Sequence, residues 1–391
     1  MDGMTFESKH GSVIIYAKTI EQEAISQILS VANSILGQNA HIRIMPDCHA
    51  GVGCVIGTTM KITDKVCPNL VGVDIGCGVN LIKTDIDFSK RLDELDAVIR
   101  KFVPCGKNIH DKERPWPFGE LLCIRNLSDS IRKTAKFSLG TLGGGNHFIE
   151  AYDGGYLAVH SGSRNIGYHV AQHYQSLAKI SMRQIAKKNT EYVLQNMSPQ
   201  KRQGYLNAIR ASKVHDDMAY LVGDGMKQYL HDAEVMRRFA EDNRAAIVEE
   251  IVKRMGGNII ESICSTHNYI DPDDMYLRKG AISARKKQSL VIPLNMRDGI
   301  LICKGKGNPE WNFSAPHGAG RLYSRSAAKA NFSLDEYRKQ MDGIYSTCIN
   351  EGTIDEAPFA YKDYEEIMEC IQDSVTVEKR LVPIYNFKAS E

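Results

Sequence analysis

Between residues 12 and 84 apolar and polar positions gather in short runs, Val13-Ile14-Ile15-Tyr16, Ile42-Arg43-Ile44, residues 52–60 and Val79-Asn80-Leu81-Ile82, set apart by Gly and Pro. Runs of this length and punctuation predict strands joined by loops. After a polar connection over residues 107–118 the same style returns over residues 140–164, where glycine clusters flank Tyr156-Leu157-Ala158-Val159. Two such glycine-punctuated stretches are expected to share one site.

From residue 167 the pattern changes to helix formers with few glycines and apolar residues three and four apart, as in Ile247, Ile251 and Met255. This spacing predicts a mainly helical subdomain over about residues 167–256, its apolar stripe serving as core. Strand-like patterning resumes over residues 289–304 and is followed by a loop over residues 305–320. One helix is expected from Ser324 and another over roughly residues 361–375. With no internal repeat, the expectation is an α+β fold, a mixed sheet core carrying a helical insertion, in one large domain or two smaller ones.

At 391 residues, 43% apolar and 25% charged, the chain can bury a sizeable core. A formal net charge of +2 does not announce nucleic-acid binding, so any grip on phosphates must be local. Neither an apolar leader nor a bilayer-length apolar run is present, so a cytoplasmic monomer with no membrane partner is expected. The ten cysteines include no C-x-x-C pair, which argues against disulfides and leaves some free to act as ligands.

Candidate chemistry begins at Gly72-Val73-Asp74-Ile75-Gly76-Cys77-Gly78, where an acid and a thiol three apart are framed by glycines. A lone D-x-x-C is more often a turn with a core thiol. Three histidines in special local contexts change that balance: His147 after Gly143-Gly144-Gly145-Asn146, His160 before Ser161-Gly162-Ser163-Arg164, and His267 between Thr266 and Asn268. Together with Asp74 and Cys77 they point to a metal centre. Imidazole and thiolate suit zinc, iron or cobalt, whereas the carboxylate and a bridging thiolate allow a pair of harder ions such as Mn²⁺, so the ligand types leave the metal open. A close pair of cations suits in-line displacement at phosphorus.

A further element, Ser314-Ala315-Pro316-His317-Gly318-Ala319-Gly320-Arg321 followed by Ser324-Arg325, sets a histidine among small residues and two arginines. Backbone amides there can bind oxyanions, the arginine forks can hold phosphates, and the histidine can attack phosphorus. Neither a G-x-x-x-x-G-K-[ST] loop nor a Lys-x-Asp-Gly motif occurs.

These residues, together with Met45-Pro46-Asp47-Cys48-His49-Ala50-Gly51, Gly140-Thr141-Leu142-Gly143-Gly144-Gly145-Asn146-His147-Phe148-Ile149-Glu150, Lys279-Gly280-Ala281-Ile282-Ser283-Ala284 and Glu356-Ala357-Pro358-Phe359-Ala360-Tyr361-Lys362-Asp363, resemble the RtcB family of RNA ligases in the same order and over nearly the whole chain. The resemblance implies one Mn²⁺ on Cys77, His160 and His267 and a second on Asp74, Cys77 and His147. It implies that His317 attacks GTP to form a histidine-guanylate, and that an RNA 3′-phosphate or 2′,3′-cyclic phosphate end is joined to a 5′-hydroxyl end, as in RNA repair or tRNA splicing. Nucleotide contacts are implied for Asn146, Glu150, Asn268, Ala319, Gly320, Tyr361 and Lys388. Glu150 is chemically apt, since a carboxylate can accept from guanine N1 and N2, donors that adenine lacks. Arg164 and Arg325 are the candidates for RNA phosphates, while Asp47 and His49 are left outside the metal set.

Two departures stand out. Where the family carries Pro-Gly-Ser-Met and, four residues on, a serine, this chain has Pro293-Leu294-Asn295-Met296 and Ile300, and Asn295 retains hydrogen-bonding capacity whereas Ile300 does not. After Lys388 comes Ala-Ser-Glu rather than a terminal glycine. The competing readings are a Mn²⁺-dependent hydrolase of cyclic or terminal phosphates, which would need the metals but not His317, and a non-catalytic RNA-binding accessory protein.

Overall fold

A computed structural model describes residues 3–51, 53–211 and 215–389. The fold is α+β. A six-stranded mixed sheet runs in the order Met4–Ser8, Gly11–Ile15, Arg43–His49, Ile56–Lys61, Tyr276–Lys279, Asn268–Ile270, with one parallel pair between the second and third strands. A five-stranded sheet, antiparallel throughout, runs Ile259–Thr266, Gly78–Thr84, Tyr156–Ser161, Phe148–Tyr152, Pro383–Lys388. The chain crosses from the second sheet to the first between Thr266 and Asn268, so His267 is the joint between them.

Alternation along these strands sends side chains to two different partners. Ile149, Ala151, Leu157 and Val159 face the helix Gly223–Met255, whose Ile247, Val248, Ile251 and Val252 recur at helical spacing. Phe148, Ala158, Val79 and Leu81 face the other way, onto Val291, Ile300, Ile302 and Leu381. Those four belong to a three-stranded sheet of Ser289–Pro293, Ile300–Gly305 and Val375–Leu381. The five-stranded sheet is therefore closed on both faces, leaving its ends as the places where polar chemistry can reach solvent.

Local readings are corrected at several points. Residues 12–84 hold a helix, Gln22–Asn33, besides strands; its buried Ala24, Ile28, Val31 and Ala32 keep helical spacing within a short, otherwise polar segment. The helix expected over roughly residues 361–375 is confined to Tyr364–Cys370, after which the β-branched Val375–Leu381 joins a sheet. The run over residues 52–60 gives the strand Ile56–Lys61, and Val52 lies outside the described residues. The loop over residues 305–320 contains the short strand Ser314–Pro316, paired with Ala281–Ser283. Among the described residues between 164 and 255 stand three α-helices, Arg164–Asn196, Pro199–Ala211 and Gly223–Met255.

Asn243, fully buried on the last of these helices, fixes the glycine loops at the sheet's end. Its Oδ1 accepts from the amides of Gly140 (2.7 Å) and Thr141 (3.1 Å), and its Nδ2 donates to Thr141 O, Ser161 Oγ and Gly162 O. Truncating it would strand several buried backbone groups. Asn243→Ala is expected to lower unfolding free energy by about 3 kcal/mol, read by urea denaturation; a loss within about 0.5 kcal/mol would show that these loops hold themselves.

Candidate metal centre and nucleotide cleft

In an antiparallel sheet, the start of each strand lies beside the end of its neighbour. Cys77 immediately precedes Gly78–Thr84, His147 immediately precedes Phe148–Tyr152, His160 lies one residue from the end of Tyr156–Ser161, and His267 immediately follows Ile259–Thr266. All four therefore reach the same edge of the sheet, and Lys388 reaches it as the last residue of Pro383–Lys388. Asp74 joins through the tight turn before Cys77, with its carboxylate against Gly162, where a Cβ would lie 2.2 Å from Asp74 Oδ1.

The ligand atoms form two groups, Cys77 with His160 and His267, and Asp74 with Cys77 and His147; within each group they lie within 4.8 Å of one another. Cys77 Sγ is 3.2 Å from His160 Nε2 and 3.6 Å from His147 Nε2, and His147 Nε2 is 3.2 Å from Asp74 Oδ2. The Nδ1 atoms of His147 and His160 face the carbonyls of Leu142 (2.8 Å) and Asn146 (3.2 Å), so they carry the protons and Nε2 offers its lone pair inward. His160 Nε2 and His267 Nε2 stand 3.4 Å apart. Nitrogen lone pairs converging on a buried sulfur repel unless a cation lies among them, so the donor set fits metal ions.

Burial keeps His160 and His267 well below the usual histidine range, hence neutral and able to ligate. Burial also drives the Cys77 thiol far up, with Asp74 adding to the effect and the guanidinium groups of Arg244 and Arg164 opposing it. Burial would raise Asp74 too, but its carboxyl is held well below the usual carboxylate range, first by the His147 ring, which does so only while a proton on Nε2 stands in the place a cation would take, and then by the Arg164 guanidinium. Arg164 is directed there by a left-handed backbone (φ 58°), its guanidinium packed where a side chain on Gly143 would stand.

His317 stands against this cluster, its ring centroid 4.7 Å from that of His267. Its Nδ1 lies 2.6 Å from Asp47 Oδ2, which also accepts from the amides of His317 (3.1 Å) and Gly318 (3.2 Å). An oxygen that accepts two amide protons is an acceptor for the ring as well, so Nδ1 carries the proton and Nε2 is left with a lone pair. Asp47 is fully buried, and the neighbouring carbonyl of Pro46 is tied down by Lys362 Nζ at 2.9 Å. Asp47 is thus the positioning residue for His317. His49 lies on the cleft wall, driven down to about 4 by burial.

A cleft of about 450 Å³ opens beside His317, lined by His160, His267 and, among the nucleotide candidates, by Asn146, Glu150, Asn295, Ala319, Gly320, Tyr361 and Lys388. That volume suits a small-molecule ligand. Asn268 is absent from its wall: its amide bridges Asp74 O and Gly280 N, making it a brace between the two sheets. Asn295 reaches the wall, but its side chain is occupied by its own turn, donating to Asp298 Oδ2 (2.7 Å) and accepting from the amides of Arg297 and Asp298. Ile300 is fully buried in the apolar layer under the five-stranded sheet.

Glu150, only 3% exposed, accepts from Tyr152 OH and Asn386 Nδ2, each at 2.6 Å, and burial pushes its carboxyl up to about 6 despite those bonds and the charge of Lys388. Arg325 also lines the cleft, paired with Asp355 (2.6 Å) and Glu356 (2.9 Å), whereas Arg164 stands on the far side of the cluster beside Asp74. Glu356 was not singled out in the sequence, yet it is 3% exposed and gathers Lys388 (3.0 Å), Arg321 (3.2 Å), Arg325 and Tyr361 OH (2.6 Å). Burial opposes its ionisation, but those cations hold it down at about 2. Arg244 was equally invisible: its Nη1 donates to Gly76 O (2.8 Å) and Ser161 O (2.9 Å) from within an apolar-periodic helix.

Side chains able to hold metal ions at one sheet edge, a histidine held in one tautomer and a cleft of small-molecule size fit an enzyme acting on phosphate groups. The particular class is given by comparison: the family described as "tRNA-splicing ligase RtcB" matches residues 27–119 and 123–389, and the chain belongs to the RtcB family. It is 30% identical over 400 residues to the RNA-splicing ligase RtcB of Escherichia coli (strain K12), covering 92% of each chain. It is 25% identical over 435 residues to the tRNA-splicing ligase RtcB of Methanococcus maripaludis, covering 91% of this chain and 89% of that one.

The contact between Gly162 and Asp74 makes a specific demand on the second ligand group. Gly162→Ala is expected to displace the Asp74 carboxylate and lower the divalent metal content of protein equilibrated with the ion, measured by elemental analysis after gel filtration; unchanged metal content would count against Asp74 as a ligand.

Proposed function

We propose that the protein joins RNA 3′-phosphate or 2′,3′-cyclic phosphate ends to 5′-hydroxyl ends, consuming GTP through a guanylylated His317. The observation carrying this reading is the 2.6 Å contact from Asp47 to His317 Nδ1, which leaves Nε2 as a nucleophile on the cleft wall beside the His/Cys cluster. Membership of a family described as tRNA-splicing ligases supports the RNA substrate.

Cys77, His160 and His267 would hold one Mn²⁺ and Asp74, Cys77 and His147 a second, sharing the thiolate, and the pair supplies positive charge to phosphate oxygens during displacement. His317 Nε2 attacks the α-phosphorus of GTP, the bond to the β-phosphate bridging oxygen breaks, and pyrophosphate leaves. As the N–P bond forms the imidazole becomes cationic, and the Asp47 carboxylate against Nδ1–H offsets that charge. A 2′,3′-cyclic end is first opened by water, which adds to phosphorus as the bond to O2′ breaks and the 2′-oxygen takes the proton; an oxygen of the RNA 3′-phosphate then takes the guanylyl group, and the electron pair of the N–P bond returns to His317. The 5′-hydroxyl oxygen finally attacks the activated phosphorus, losing its proton as GMP departs. Glu150 accepts from guanine N1 and N2, Lys388 and Tyr361 line the nucleotide's cleft, and Arg164 and Arg325 hold RNA phosphates. A hydrolase would have no use for the Asp47–His317 pair, and a non-catalytic accessory protein none for the ligand cluster.

Incubation with α-labelled GTP and Mn²⁺ followed by denaturing electrophoresis is expected to leave acid-labile label on the wild type, none on His317→Ala, and at least about tenfold less on Asp47→Asn. Absence of label on the wild type, with phosphate ends still hydrolysed, would establish the hydrolase instead.

Glu150 must be ionised to accept from guanine, and its carboxyl is raised to about 6, so protonation begins well above the ordinary glutamate value. GTP affinity is therefore expected to hold from about pH 8 to about pH 7 and to fall as pH drops through about 6. In Glu150→Gln that pH dependence should vanish and the preference for GTP over ATP should shrink on the order of 100-fold. A wild-type profile flat down to about pH 5 would remove Glu150 from guanine recognition.

A further inference from the structure

The helix Arg164–Asn196 begins at the residue beside Asp74 and runs for 33 residues, about 50 Å. Its first half is buried against the body of the protein, but residues 183–189 are all exposed through nearly two turns, so that stretch has solvent on every face. The helix Pro199–Ala211 folds back and packs on it. This forms an arm whose base is at the candidate metal centre and whose tip is far from it.

The arm's charge is unlike that of the rest of the chain. Residues 176–209 contain Lys179, Arg183, Lys187, Lys188, Lys201 and Arg202 against one acid, Glu191, a net +5 in a chain of net +2, which leaves the remainder negative. Lys188 and Lys201 are exposed and make no ion pair among the described residues, and the pair between Lys187 and Glu191 is a long 3.9 Å. Tyr192 and Tyr205 stand 60% and 51% exposed among these cations. Midway along the arm a groove of about 1080 Å³ against the helix Gln22–Asn33 is rimmed by Lys9, Lys179, Arg183 and His215, with Asp216 paired to Arg183 at 2.7 Å.

We infer that this arm binds the RNA substrate at a distance from the joint, its lysines on backbone phosphates and its tyrosines against unpaired bases. The inference rests on the RNA-ligase reading for the RNA's identity, but its geometry is separate from the catalytic cluster. Exposed lysines without acidic partners complement a polyanion, and base-stacking tyrosines suit the unpaired loops of structured RNA. Protein interfaces are depleted in lysine, and a second copy would bring like charges together. With its axis rooted beside the site, the arm can hold a folded RNA on the order of 16 base pairs from the end being joined, the span over which double-stranded RNA is read by shape.

The test compares full-length wild type with the triple variant Lys187→Glu, Lys188→Glu, Lys201→Glu, all three residues being exposed. Binding of a stem-loop RNA with a 3′-phosphate end, and of a single-stranded RNA of about six nucleotides with the same end, is measured by fluorescence anisotropy at several salt concentrations. For the stem-loop, affinity is expected to fall at least about tenfold and the salt slope to drop by about 2 to 3, with the short RNA unaffected. Self-guanylylation and ligation of the short RNA should stay at wild-type levels. Equal stem-loop affinity and slope in both proteins would overturn the inference, as would equal weakening for both RNAs. A change in sedimentation without a change in RNA affinity would reassign the arm to self-association. If the wild type neither guanylylates nor ligates, the proposed function fails, and the stem-loop binding comparison still decides the arm.

Discussion

The site depends on one buried guanidinium. Arg244 has no exposed surface and no carboxylate partner; its Nη1 bonds to the carbonyls of Gly76 and Ser161 and its Nη2 to Thr266 Oγ1 and Cys264 Sγ. Three of the four tethered residues are next to a candidate ligand: Gly76 to Cys77, Ser161 to His160, Thr266 to His267. A charge in a dry interior is costly unless its donors are engaged, so the arrangement that engages both Nη groups of Arg244, with Nε alone left without a partner, is also the one that brings three segments together. Its positive charge further favours the Cys77 thiolate, the form a metal would need.

Around that anchor the protein separates two electrostatic environments. On the cluster side, burial keeps His160 and His267 neutral and disfavours the bare thiolate, so a thiolate there would need the positive charge of a bound cation. On the cleft side, Glu356 and Asp355 sit among Arg321, Arg325 and Lys388, a lattice whose two acids offset all but one of its three cations. Arg325 is therefore a shared cation, held by two acids before any phosphate arrives. His317 stands between these regions, aligned by Asp47.

The ligand set was legible in the sequence because glycine-framed strand ends announce unusual backbone, and Cys and His in such places are costly without a purpose. Asp74, Cys77, His147, His160 and His267 do come together. The α+β class followed from the shift between strand-like and helical spacing. What could not be read was support: Arg244 and Asn243 sit in a helix whose pattern reports only an apolar stripe, and nothing local shows which loops they face. Asp47 could be seen but not placed, because its partner is 270 residues away. Asn268 illustrates the reverse, since a motif can mark a residue whose side chain is spent bracing backbone.

The convergence of strand ends at one sheet edge has a temporal side. Cys77, His147 and His160 precede the helix Gly223–Met255 that pins their loops, while His267, His317 and Lys388 come after it. During synthesis from the N-terminus, the early histidines and the thiol are made well before anything can orient them. A ribosome-bound chain ending before His267 would carry Cys77, His147 and His160 without the last member of their cluster, and the strand Phe148–Tyr152 keeps an unpaired edge until Pro383–Lys388 is made. The interval before His267 emerges and the helix Gly223–Met255 folds is thus when the thiol and the early histidines are most open to oxidation.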